Sequence, residues 1–116
     1  MTAIIHRLDV RAANGIPFRV VYVPPGQESL NFPRLAADER DLVEFYDLRH
    51  PHTPDGQFVS RYYVDTLMEG RTLDYGLDLD GGIEDWTIDA RTMRVVLGWL
   101  RSQRLLCHLP AATPTP

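Results

Sequence analysis

Between Arg71 and Arg91 the chain carries six carboxylates (Asp74, Asp78, Asp80, Glu84, Asp85 and Asp89) and no cation. Acidic residues at this density serve calcium coordination, paired acid–base catalysis or electrostatic docking. A calcium loop needs oxygen ligands at positions 1, 3 and 5, glycine at 6 and glutamate at 12. Read from Asp78, position 3 is Asp80, but positions 5 and 6 fall on Gly82 and Ile83 and position 12 on Asp89 rather than glutamate, so the pattern fails. Asp78 and Asp80 on one face of a strand stand roughly 6.5 to 7 Å apart, within the range of glycosidase carboxylate pairs. Such pairs need burial to separate their pKa values, and a solvent-facing row does not supply it. Docking remains. Carboxylates on alternate positions without interspersed cations complement a basic groove, where they set association rate and partner choice. The plainer alternative is a solvated face that keeps a strand from aggregating. The expected partner-binding set is Asp74, Asp78, Asp80, Glu84 and Asp85, with Tyr75 and Trp86 flanking them as aromatic anchors.

Three further groups invite chemistry. His50-Pro51-His52 places two imidazoles two residues apart, but a metal site needs a third and fourth ligand. Asp47, Asp55, His6 and Cys107 are candidates that no zinc spacing selects. A small metal-assisted enzyme built on His50 and His52 is therefore the alternative to docking, and a proline-stiffened loop the simpler account. Ser60 lacks the glycine-flanked nucleophile elbow. Cys107 and His108 are helical neighbours about 100° apart, which does not make a catalytic pair. No glycine loop suited to phosphate is present. The expectation is a protein that is not an enzyme and uses no cofactor.

The elements that position these residues follow from pattern. A chain of 116 residues makes one domain and can bury a core without disulfides. The single cysteine suits a reducing compartment. No basic-then-apolar leader and no long apolar run are present, so the expected location is the cytoplasm, with no membrane contact. All twelve basic residues are arginine, as GC-rich coding favours, and the formal charge of −4 argues against direct nucleic-acid binding. Charge is uneven: residues 65 to 90 hold eight carboxylates against one arginine, while residues 91 to 104 hold four arginines and no acid.

Residues 3 to 11 alternate, with Ile4, His6, Leu8 and Val10 on one face. Asn14-Gly15 then offers the positive φ of a hairpin turn, and residues 18 to 23 return as a strand. A short helix is expected within 27 to 40, where Pro33 suits a first turn. Residues 41 to 48 read as a strand, with a helix over 34 to 47 as rival. Ser60 is expected to cap a helix over 61 to 69, with Val59, Tyr63 and Leu67 as its stripe. Leu73, Tyr75, Leu77 and Leu79 alternate with acids and glycine, which predicts a half-buried strand. Gly81-Gly82 turns it, and residues 84 to 88 return. Asp89 caps a last helix, whose apolar side is expected to carry Met93, Val95, Val96, Leu97, Trp99, Leu100 and Leu106. The prediction is an α+β fold, a mostly antiparallel sheet of about five strands packed by two main helices. It occupies 1–108, with 109–116 a flexible tail. Val21 and Val23, opposite Phe18, Val20 and Tyr22, would be exposed in a self-associating subunit, and the expected state is monomer or weak homodimer.

The run FYDLRHPHTPDGQFVSRYYVDTL (45 to 67), followed by GLDLDGGIEDWTID and a helix ending VLGWL, resembles small accessory proteins carried by phages and integrative elements of GC-rich bacteria. Anti-CRISPR proteins occur in that setting. The resemblance spans residues 43 to 100 and brings no catalytic motif. It implies a stoichiometric inhibitor that binds a basic host surface, a CRISPR effector subunit or nuclease, and blocks DNA binding or nuclease recruitment.

Overall fold

Alternation in the first quarter of the chain produces an antiparallel hairpin. The structure, a computed structural model, describes residues 7–32, 39–69, 75–76 and 87–108. β1 (Arg7–Arg11) pairs with β2 (Pro17–Val23), setting Leu8 opposite Val20 and Val10 opposite Phe18. In the turn the Gly15 amide donates to the Ala12 carbonyl at 2.8 Å, and Gly15 takes φ 91°, a left-handed value that suits glycine. β3 (Leu42–Asp47) pairs with β2, and β4 (Gln57–Tyr63) with β3, giving one antiparallel sheet in the order β1-β2-β3-β4. Phe45 pairs with Ser60 and Tyr46 with Phe58, so Val59 is an extra residue, a bulge.

α1 (Val64–Met68) follows β4, and α2 (Ala90–His108) lies across β1 and β2. Phe18, Val20, Tyr22, Val43 and Phe45 point to one side of the sheet and meet Met93, Val96, Leu97 and Leu100 of α2 in a single core. Each such side chain, fully buried, contributes about 1.5 to 3 kcal/mol relative to leaving it in water. Two short strands, β5 (Tyr75–Gly76) and β6 (Thr87–Ile88), form a separate antiparallel ribbon. The α+β class is as expected. The main sheet differs: its fourth strand is β4, and the C-terminal ribbon is not part of it.

Several expectations change. Ser60 lies within β4 and caps nothing; α1 begins after Tyr63, without a side-chain cap. The reason is pairing. Residues 57–63 are rich in β-branched and aromatic side chains, and joining β3 buries Val59 on one face while Phe58 packs on the other. The same pairing excludes a helix over 42–47. Of the short helix expected within 27 to 40, residues 27–32 are not helical and residues 33–38 lie outside the described residues. Val21 and Val23 are almost fully buried, so they are not a dimer surface. Val95 is 56% exposed; at 100° per residue it sits roughly 150° from the centre of the buried arc, and the polar Gln103 is inside instead. Residues 3–6 and the tail lie outside the described residues. Among the described residues no helix is long and apolar enough to cross a membrane.

Candidate functional site

The expected docking residues Asp74, Asp78, Asp80, Glu84, Asp85 and Trp86 lie outside the described residues, and Tyr75 is described by its backbone. The ends of their segment are described. Tyr75 pairs with Ile88 and Gly76 with Thr87. Both pairs are equidistant along the chain from the Gly81–Gly82 bond, the register that the predicted glycine turn requires. Ile88 is buried in the core, which anchors the ribbon. Asn14 Nδ2 donates to the Thr87 carbonyl at 3.4 Å, and the Ala13 amide donates to Asp89 Oδ1 at 2.8 Å. Asp89 also accepts from the Thr92 amide at 3.1 Å and the Thr92 hydroxyl at 2.7 Å, so it caps α2 as predicted. The Ala13 amide, then the Thr92 hydroxyl and amide, hold its carboxyl down at about 2. The acidic segment thus starts from the tip of the first hairpin and the first turn of α2.

The sheet face turned away from α2 holds charges that composition alone did not reveal. Glu44, in the middle of β3, has no exposed surface. It accepts from Ser29 Oγ at 2.8 Å, Tyr46 Oη at 2.7 Å, and Arg61 Nε and Nη2 at 3.0 and 2.8 Å. Phe32 stacks edge-on against Phe58, and the Arg61 guanidinium lies 4.9 Å from the Phe58 ring centre. Burial and the Glu44 carboxylate raise the Tyr46 hydroxyl well above its ordinary range. Beside this, Asp55 accepts from Arg7, from Asn31 Nδ2 at 2.7 Å and from Arg19 Nη1 at 3.4 Å. Burial raises Asp55, but Arg7 and Asn31 outweigh it and hold the carboxyl below its usual range. Arg19 also grips Asp9 at 2.7 and 3.0 Å and lowers it.

At the other end of the sheet, buried Asp41 accepts from Tyr22 Oη at 2.8 Å and from Arg104 Nε and Nη2 at 3.0 and 2.7 Å. Burial pushes Asp41 up, and Arg104 with Tyr22 brings it below its usual value. Arg104 also reaches Asp65 at 2.8 Å, tying α2 to α1. The signal for Glu44 and Asp47 was present in LVEFYDL (42 to 48), where acids interrupt a run otherwise apolar enough for a central strand. The arginine partners of Glu44 and Asp41, 17 and 63 residues away in the chain, had no local signature.

The histidine pair finds no ready ligands among these acids. The His50 and His52 rings are 6.5 Å apart. Asp47 faces Arg49 at 2.7 Å, and Asp55 is surrounded by donors. Among the described residues no three His, Cys, Asp or Glu side chains converge on one point. Glu44, Asp41 and Asp55 are each engaged by guanidinium donors, Glu44 and Asp41 also by hydroxyls and Asp55 by an amide.

Charge is distributed by region. Ten arginines and ten carboxylates fall among the described residues, which therefore carry no net formal charge; the two arginines and six carboxylates outside them account for the whole −4. No known protein family matches the chain, and no curated protein or solved structure is significantly similar to it.

Proposed function

We propose that this chain is a non-enzymatic inhibitor from a mobile genetic element that acts in the host cytoplasm. Its acidic segment, Asp74, Asp78, Asp80, Glu84 and Asp85 with Tyr75 and Trp86, occupies a basic surface of a host nucleic-acid-handling machine. The finer reading, which rests on the resemblance of residues 43 to 100, is an anti-CRISPR protein whose target is a CRISPR effector subunit or its nuclease.

The observation that supports docking is the allocation of charge. In the body of the protein Asp41, Glu44, Asp47 and Asp55 are buried and each is matched by an arginine of the same chain. Five of the ten described arginines are committed to those contacts, among them Arg19, which reaches Asp55 at 3.4 Å. The surplus negative charge falls on residues outside the described ones, chiefly within 70–86. A basic groove built for phosphates meets such a segment at favourable long-range potential and gains selectivity from it.

The test is affinity purification of the full chain from a CRISPR-bearing, GC-rich host, followed by mass spectrometry, beside the variant Asp78→Arg/Asp80→Arg. Capture of a nucleic-acid-handling protein by the parent, with association slowed at low salt in the variant and less so at high salt, is the expected result. Retention of the same partner at the same rate by the variant overturns the assignment of the acidic segment. A partner with no role in CRISPR interference overturns the finer reading alone.

A further inference from the structure

α2 has a second side that no other described residue covers. Arg91, Arg94, Val95, Gly98, Arg101, Ser102 and Leu105 are exposed, and at 100° per residue they fall within an arc of about 120°. Val95 and Leu105 are 56% and 67% exposed, large aliphatic groups standing among cations. Arg91, Arg94 and Arg101 pair with no carboxylate among the described residues, and α2 itself contains no acid. The face opens at its N-terminal end into a cleft of about 410 Å³ between α2 and the first hairpin, lined by Val10, Arg11, Ala13, Asp89, Arg91, Thr92 and Val95. Val10 and Val95 supply apolar walls, and Arg11 and Arg91 supply cations. The carboxylate in the lining, Asp89, is saturated by Ala13 and Thr92.

Gly98 sits at the middle of this face. A glycine inside a helix costs stability relative to alanine, and a Cβ there would meet nothing within 4 Å. No described neighbour therefore requires it. A partner backbone approaching closely would.

We propose that this face is a docking surface for an acidic amphipathic segment of another protein. An apolar side chain of that segment fills the cleft between Val10 and Val95, and its carboxylates meet Arg91, Arg94 and Arg101. Charge selects the occupant. A second copy packed α2 against α2 would set arginine against arginine, since α2 itself holds no acid. A nucleic-acid backbone has no use for Val95 and Leu105, which stand exposed among the arginines. An acidic helix carrying aliphatic anchors matches the cations, the apolar groups and the glycine together. This surface is distinct from the acidic segment and stands whether or not that segment binds.

The experiment is a peptide-display selection on the full chain, with the variant Arg91→Glu/Arg94→Glu/Arg101→Glu as counter-selection. The substituted side chains are exposed and make no ion pair among the described residues, so the variant keeps its circular dichroism and melting temperature. Selected peptides are expected to carry two or more carboxylates around an aliphatic or aromatic residue. They should bind the triple variant at least tenfold more weakly and shift the amide resonances of Val10, Thr92 and Val95. Gly98→Leu, which has open space and favours helix, should raise the melting temperature yet weaken binding at least tenfold, a pattern that a merely structural glycine would not give. Peptides without acids, equal affinity for the triple variant, tighter binding of a 20-base-pair DNA duplex through the same arginines, or a dimer in light scattering that the triple variant dissolves would each overturn the proposal.

Discussion

Replacing Glu44 by leucine removes the centre of the charged sheet face and leaves three donors without their acceptor. Glu44 has no exposed surface and takes four hydrogen bonds, two of them from Arg61, whose side chain is 24% exposed. Breaking a buried ion pair from one side costs about 3 to 5 kcal/mol, because the remaining charge stays uncompensated. Arg61 keeps some water, so the lower end, about 3 kcal/mol, applies to Glu44→Leu. For a chain of this length that is a fall in melting temperature of roughly 12 °C. Arg61→Met leaves the anion wholly buried and should cost at least as much. The double variant Glu44→Leu/Arg61→Met replaces both charges by apolar groups of similar size and should return to within about 2 kcal/mol of the parent, the residue being the orphaned Ser29 and Tyr46 hydroxyls. Urea unfolding followed by tryptophan fluorescence gives all four corners of the cycle, and the expected coupling is about 3 kcal/mol or more. A Glu44→Leu variant within about 1 kcal/mol of the parent, or a double variant as unstable as the sum of the singles, would refute the view that this pair is desolvated and mutually dependent.

Ser60 Oγ is buried and has no hydrogen-bond partner among the described residues, so Ser60→Ala should stabilise the protein by about 1 kcal/mol; a lower melting temperature would show that the hydroxyl is satisfied. Gly56 has φ 113°, and a Cβ there would stand 2.5 Å from the Asp47 carbonyl, so Gly56→Ala should cost about 2 kcal/mol or more in chemical denaturation. Asp9, Asp41, Asp55 and Asp89 are all held below their unfolded values, Asp89 at about 2. As pH falls the unfolded chain takes up these protons first, so stability present above about pH 4 is lost as pH falls through the folded values toward 2. Calorimetry should show a melting temperature that is level from pH 7 to 5 and falls steeply below 4, and Asp89→Asn should shallow that fall; an unchanged melting temperature at pH 2.5 would contradict it.

By itself the sequence determined the elements whose causes are local. The alternation of Leu8 and Val10, the Asn14-Gly15 turn, the β-rich run of β2 and the Asp89 cap of α2 each depend on a few neighbouring residues, and each stands where those neighbours place it. The pairing of Tyr75 with Ile88 and of Gly76 with Thr87 keeps the expected register, and the Gly81-Gly82 turn lies outside the described residues. The helix expected over 61 to 69 fails in its first turn, because Val59, Tyr63 and Leu67 at four-residue spacing gave no sign that residues 57–63 would pair with the edge of β3. The tertiary structure alone decided which charges are internal. Glu44 with Arg61, Asp41 with Arg104 and Asp55 with Arg7 meet across tens of residues, and no local pattern encodes a contact whose partner is chosen by sheet order. It also decided which side of α2 faces water: a shift of the buried arc moves Val95 out and Gln103 in, and that rotation is set by the shape of the sheet beneath the helix.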